Sequence, residues 1–248
     1  MEAATSLKPR FSDLQLLGRL KGLAWLTAVQ LKGLDDSMTA RNVKHKGLIF
    51  EERGSLSLST HILLTGTAEL SHLYGPRWRV VAILSPGVIF KMPLMPRAID
   101  HDFQWTALSD CRVAELSTAS FINISLGILP ADYAKIADAG NGRLGYLMGR
   151  YSGFLGLDLV KRVAVALLEL ALEFGVQNTR GVLIRINLTQ RQLADLVGAS
   201  RAKVGLALKD LERRKIVVRE GRQLAVLVRN LEALVKSGDE TRALPAPT

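Results

Sequence analysis

The 248 residues are 48% hydrophobic and 23% charged, and 33 Lys and Arg against 23 Asp and Glu leave a net charge of +10. This is the make-up of globular protein long enough for two domains, with a surplus of positive charge that favours a polyanionic partner. No apolar stretch reaches the roughly 18 residues of a membrane span, and Met1 to Arg10 lacks the basic-then-apolar order of a secretory signal, so a cytoplasmic protein with no membrane partner is expected. The lone Cys111 excludes an internal disulfide and a thiolate metal site built within one chain.

In chain order, residues from about Leu7 to Leu34 carry apolar groups at mixed three- and four-residue intervals, which predicts one or two helices in an N-terminal segment over 1–40. From Lys46 to Leu116 the texture changes to short apolar runs: Leu48–Phe50, Ile62–Leu64, Ala68–Leu70, Arg79–Leu84, Val88–Phe90 and Arg112–Leu116. Turn formers at Gly54, Gly66, Gly75-Pro76 and Pro86-Gly87 separate them, and short strands with turn signals about every ten residues predict an antiparallel barrel or jelly roll over 41–130.

After Pro130 the period lengthens, and Ala131 to about Leu157 reads as a helix with a seam at Leu144, Leu147/Met148, Tyr151 and Leu155 suited to pairing with a second copy. Gly142, Gly145, Gly149, Gly153 and Gly156 would share one face of that helix. Each costs about 1 kcal/mol relative to alanine, which the close approach of another backbone would offset. A kinked or interrupted helix packed on its own barrel is the alternative.

The remainder predicts a helix at Leu159–Phe174, a loop around Gly175–Gly181, a short strand at Val182–Ile186, two helices, and β segments at Ile216–Arg219 and Gln223–Val228. Helices followed by a small hairpin make a winged helix-turn-helix over 158–236, with a flexible tail over 237–248. The fold class is therefore α+β: an N-terminal antiparallel, jelly-roll-like β-roll, a long dimerisation helix and a C-terminal winged helix-turn-helix.

Between Thr189 and Arg222 lie nine basic and four acidic residues, so about half of the net charge falls in one short segment. Thr189 with Gln192 forms a capping box, Leu193, Ala194, Leu196 and Val197 supply a buried face, Gly198 allows a sharp turn, and Ser200 caps a second helix. Val204, Ala207, Leu208 and Leu211 give that helix one apolar face. Arg201, near its N-terminus, is suited to forking onto the O6 and N7 of guanine, a contact worth about 1–3 kcal/mol of discrimination. Thr189, Arg191, Ser200, Lys203 and Lys209 suit phosphate oxygens, which set register without reading sequence.

The stretch from Leu188 to Val228, TQRQLADLVGASRAKVGLALKDLERRKIVVREGRQLAVL within it, resembles the winged helix-turn-helix of the Crp/Fnr family of bacterial transcription regulators. Upstream, Lys46–Gly54, Leu63–Leu70 and Val80–Phe90 look like a degenerate form of that family's cyclic-nucleotide-binding-type β-roll. The resemblance implies a homodimer on a two-fold operator in double-stranded DNA. It matches Ser200 and Arg201 to the family's groove-contacting serine and arginine. Where cyclic-AMP-responsive members place a glutamate and a second arginine, this chain has Ala202 and Leu206, so a different operator is expected.

The ligand pocket departs further. The family's ribose-binding Gly-Glu and phosphate-binding Arg-Ser pairs fall near Lys91-Met92 and His101-Asp102. An aspartate in place of the serine repels a phosphate, and methionine cannot accept ribose hydrogen bonds, so no cyclic AMP cofactor is expected. Iron–sulfur sensing needs several cysteines. Haem needs a single axial ligand, for which His45, His61, His72, His101 and Cys111 are available, so a haem- or ligand-dependent sensor stays as an alternative. A β-barrel enzyme or ligand-binding protein with a helical appendage is disfavoured by four histidines that form no His-x-His pair. The combined reading is a dimeric, cytoplasmic regulator, not an enzyme, that binds DNA and recruits or obstructs RNA polymerase.

Overall fold

The computed structural model describes residues 11–24, 26–52, 59–90, 102–126, 154 and 156–237, and the chain divides into two compact units, Met1–Leu147 and Met148–Thr248. Apart from Phe154, Gly156 and Leu157, the predicted dimerisation helix over 131–157, with nearly all of its glycine stripe, lies outside the described residues, as does the tail beyond Ser237.

Among the described residues of the first unit, α1 (Phe11–Leu17), a 3-10 turn (Lys21–Leu23) and α2 (Ala28–Ser37) precede eight strands. These are β1 (Thr39–Val43), β2 (Leu48–Glu52), β3 (Ser59–Thr65), β4 (Ala68–Tyr74), β5 (Arg77–Leu84), β6 (Ile89–Phe90), β7 (Phe103–Ala107) and β8 (Cys111–Ser117). They form two antiparallel sheets, β1-β8-β3-β6 and β2-β7-β4-β5, followed by α3 (Thr118–Leu126). The predicted N-terminal helices and all six apolar runs are present. Two strands that sequence patterning does not reveal, β1 and β7, complete the sheets, and β1 begins inside the segment read as helical.

The alternation of side chains along β3 explains why the sheets stay together. Ile62 and Leu64 point to a core shared with Leu17, Leu23, Leu34, Ala114 and Leu116, so the N-terminal helices cover this face. Leu63 points the other way, into the core between the sheets with Val43, Ile49, Trp105, Ala107 and Val113. A strand buried on both faces reads as a continuous apolar run, as Ile62–Leu64 does here.

One ion pair fastens α1 to the roll. Arg112 on β8 donates from Nε to Asp13 Oδ1 at 2.8 Å and from Nη2 to Oδ2 at 2.6 Å, and Asp13 is only 2% exposed. The carboxylate holds the Arg112 guanidinium above its ordinary pKa through these hydrogen bonds. Nearby, burial and the negative charges of Asp13 and Asp36 push the Asp35 carboxyl up, against the opposing pull of Lys32. Because the folded-state pKa lies above the unfolded one, the charged form of Asp35 is a cost above that pKa and the cost vanishes as pH falls below the unfolded value. Asp35→Asn should therefore raise the melting temperature at neutral pH, with the gain shrinking towards pH 3–4, near the unfolded carboxyl pKa of about 3.9; thermal melts across that range check it.

The second unit begins its main body with α4 (Leu159–Phe174), capped by the Asp158 carboxylate accepting from Lys161 N at 3.0 Å. It then runs β9 (Gly175–Asn178), β10 (Gly181–Ile184), α5 (Gln190–Val197), α6 (Arg201–Arg213), β11 (Val217–Glu220), β12 (Gln223–Val226) and α7 (Val228–Lys236). The four strands form one antiparallel sheet in the order β11-β12-β10-β9. The segment predicted as a loop at Gly175–Gly181 is thus half of a hairpin, because β10 needs partners on both edges and β9 supplies the second. Val163, Ala164, Leu167 and Leu170 of α4 supply buried positions, as do Leu193, Val197, Val204, Leu208, Leu211 and Leu231 of α5 to α7.

Candidate nucleic-acid interface

The local chemistry of Thr189–Ser200 sets the geometry of the site. Thr189 Oγ1 accepts from Gln192 N at 3.2 Å and donates to Gln192 Oε1 at 2.8 Å, while Thr189 N donates to the same oxygen at 2.8 Å. This capping box starts α5 and occupies the Thr189 hydroxyl, which leaves its backbone neighbourhood rather than a free hydroxyl to meet a ligand. At the other end Ala199 N donates to Ala194 O at 2.9 Å and Gly198 takes φ +65°, a left-handed helix stop. Arg162 of α4 donates from Nη1 to Val197 O at 3.1 Å, placing a cation on the last carbonyls of α5. Ser200 then opens α6, its hydroxyl oxygen accepting from Lys203 N at 3.3 Å and its own proton still available to donate.

Two glycines here differ in sign. A Cβ on Gly198 would find its nearest neighbour, Arg162 Nη1, at 4.0 Å, so the penalty of Gly198→Ala is conformational, about 1–2 kcal/mol for a left-handed L-residue. Gly205, inside α6, would put its Cβ 3.7 Å from Gln190 Oε1, an ordinary contact. Gly205→Ala should instead stabilise the second unit by up to about 1 kcal/mol through helix propensity. Urea unfolding of the two variants checks the opposite signs.

Of the nine basic residues between Thr189 and Arg222, three are engaged within the fold. Asp210 holds Arg213 at 2.5 Å and Arg214 at 2.7 Å, and Glu212 holds Arg219 at 2.8 Å. The hydrogen bond from Arg213, then that from Arg214, keeps the Asp210 carboxyl below its usual range. By contrast Arg191, Arg201, Lys203 and Lys209 are exposed and have no acidic partner among the described residues. Lys215 and Arg222 share that condition. The sequence puts both in the basic segment without placing them in the site; Arg222 sits in the two-residue turn joining β11 to β12, a position visible only once the hairpin is drawn.

The α6 helix of 13 residues, about 20 Å long, turns Val204, Ala207, Leu208 and Leu211 inward and leaves Arg201, Lys203 and Lys209 exposed. A capped helix pair with a tight turn, followed by a β-hairpin wing and flanked by these six exposed cations, defines a winged helix-turn-helix, the class of domain whose second helix enters the DNA major groove.

Comparison with known proteins narrows the class. Residues 161–237 match the model of the Crp-like helix-turn-helix domain. The chain is 40% identical over 79 residues to the CRP-like cAMP-activated global transcriptional regulator of Mycobacterium tuberculosis, in strains CDC 1551 and H37Rv. That alignment covers 32% of this chain and 34% of the relative, so the chain spans about a third of the length of the curated relatives it matches. Among solved structures, FixK2 of Bradyrhizobium japonicum superposes with a TM-score of 0.66 at 20% identity, over 79% of this chain and 96% of that one. A mutant of CooA from Carboxydothermus hydrogenoformans gives 0.65 at 19% identity over 85% and 91%, and the c-di-GMP responsive global regulator CLP of Xanthomonas campestris gives 0.64 at 19% over 81% and 99%. The chain carries a Crp-like helix-turn-helix domain and has the fold of the Crp/Fnr regulators.

The effector candidates are scattered over the roll. His45 is exposed in the turn between β1 and β2, and His72 on β4 packs its ring on Phe103 at 5.1 Å. His61 is buried on β3 with its ring 4.5 Å from that of Phe50 and Nε2 3.7 Å from Glu115 Oε2. Cys111 is buried and its thiol donates to Thr67 O and Ser109 O, both at 3.3 Å; burial pushes the thiol up. Among the described residues no three His, Cys, Asp or Glu side chains gather where they could hold a metal ion. Of the positions aligned with nucleotide-binding pairs, Lys91, Met92 and His101 lie outside the described residues, and Asp102 accepts from Leu73 N at 3.0 Å through its carbonyl. No described helix is long and apolar enough to cross a membrane.

Proposed function

We propose that this protein is a sequence-specific transcription regulator that binds a two-fold operator in double-stranded DNA as a homodimer, without cyclic AMP. The observation that carries the reading is the separation of the basic residues into two sets. Arg213, Arg214 and Arg219 are ion-paired with Asp210 and Glu212 of the same domain, whereas Arg191, Arg201, Lys203, Lys209, Lys215 and Arg222 are left for an outside partner. Unpaired exposed cations repel one another and contribute little to folding, so a polyanion is the partner that relieves them.

In this reading Arg201 meets a base edge, and Arg191, Ser200, Lys203, Lys209 and the region of Thr189 meet phosphates. The dimer and the contact with RNA polymerase, whether recruiting or obstructing, follow from the likeness to Crp/Fnr regulators, as does a place in the cytoplasm. Independence from cyclic AMP is supported by Asp102, an aspartate that falls in the sequence near the position of the family's phosphate-binding serine and would repel a phosphate there. The relatives named as cyclic-AMP-activated share only about a third of their length with this chain. A second reading, an effector-dependent sensor, is favoured by one observation: the β-roll of this chain superposes on regulators such as CLP, which is described as c-di-GMP responsive.

Selection of bound fragments from random duplex DNA, at near-physiological salt and with no added effector, separates the readings. An enriched two-fold motif supports specific, effector-independent dimer binding. Weak and sequence-indifferent binding that sharpens on adding haem or a cyclic dinucleotide supports the sensor. Binding that stays sequence-indifferent under every condition overturns specific recognition.

A further inference from the structure

The outward face of α6 carries a residue that neither folding nor phosphate binding accounts for. Positions 202, 206, 209 and 213 recur at four- and three-residue spacing on the side opposite the buried Val204, Ala207, Leu208 and Leu211. They are Ala202, Leu206, Lys209 and Arg213, and Leu206 is 68% exposed. A single exposed leucine is ordinary on a protein surface. This one stands in the middle of the face presented away from the domain, with the exposed cations Arg201, Lys203 and Lys209 around it.

A polyanion drawn to those cations brings its groove against Leu206. The side chain has no donor or acceptor, so against guanine, cytosine or adenine edges it would strip water from polar atoms and return no hydrogen bond. The thymine C5-methyl is the apolar group that the major groove presents. We propose that Leu206, with the small Ala202 one turn before it leaving room for close approach, reads the methyl group of a thymine at one position in each half-site. The inference rests on the DNA-binding reading above and adds to it a second specificity-determining residue, one that recognises by apolar contact rather than by hydrogen bonding.

The test uses the full chain and the duplex motif that selection enriches. Each thymine of the motif is replaced in turn by deoxyuridine, which removes the methyl and leaves base pairing intact. At one thymine per half-site the dissociation constant should rise about fourfold, the weight of one buried methyl group. In Leu206→Ala, where the exposed position leaves folding unaffected, the same uracil substitution should change affinity by less than about 1.5-fold, while preferences elsewhere in the motif persist. Uracil tolerance at every position, or a uracil penalty unchanged in Leu206→Ala, overturns methyl reading and leaves the DNA-binding reading standing. Absence of an enriched motif under every condition, with or without added haem or cyclic dinucleotide, overturns both.

Discussion

Arg112→Ala should lower the unfolding free energy of the N-terminal unit by about 3–5 kcal/mol, the cost of stranding one member of a buried ion pair. Arg112 makes two charge-assisted hydrogen bonds to Asp13, whose carboxylate is 2% exposed, and the Arg112 side chain is itself only 19% exposed. Without the guanidinium, Asp13 keeps its desolvation penalty and faces the negative charge of Asp35, which already responds to it. A loss of that size is a large fraction of the roughly 5–15 kcal/mol typical of a domain. The deficit should narrow in acid, since protonating the stranded carboxyl removes the charge that burial penalises. Asp13→Leu combined with Arg112→Met, which removes both charges, should lose less than Arg112→Ala alone. Urea unfolding at neutral pH decides the matter: a loss under about 1 kcal/mol would give the pair the weight of an exposed ion pair and refute its role as the fastening of α1.

That pair also marks where sequence reading stops. Asp13 and Arg112 are 99 residues apart, and nothing local to either says that they meet. The helix-turn-helix is legible for the opposite reason. Thr189, Gln192, Gly198 and Ser200 act on backbone groups within five residues, so cap, stop and second cap can be read directly from their spacing. α7 escapes notice because its N-cap, Leu227, offers no side-chain oxygen and only Leu231 is fully buried along it. α3 does carry a signal that could have found it, the Ser117 hydroxyl accepting from Ser120 N at 3.0 Å, but its β-branched Thr118, Ile122 and Ile124 resemble a continuing strand. β1 and β7 are hidden because burial is split across two faces and broken by Arg41, Asn42 and Gln104. In the site, the net charge is legible but its division is not. Which arginines answer to Asp210 and Glu212 depends on helical phase and on the return of the wing, and only the folded chain brings Arg219 back to Glu212.

Arg201→Ala should weaken binding to the selected operator by about 1–3 kcal/mol per half-site, and the loss should be confined to sequences that carry the preferred base at one position. The residue is the first of α6, exposed and without an acidic partner among the described residues, so removing it perturbs neither the Ser200 cap nor the buried face. Lys203→Ala supplies the contrast. Removing a phosphate-binding ammonium there should weaken operator and random DNA alike and reduce the slope of log affinity against log salt by about 1 per half-site, or about 2 in the dimer. Equilibrium binding of both variants to operator and non-operator duplexes, across a salt series, distinguishes the two roles. If Arg201→Ala instead reduces affinity uniformly and flattens the salt slope, Arg201 is a phosphate ligand, and base reading on this helix falls to the residues of its outward face. Because the operator is two-fold in the proposed reading, the per-site losses act twice in the dimer, so even the lower bound is roughly a thirty-fold fall at about 1.4 kcal/mol per tenfold.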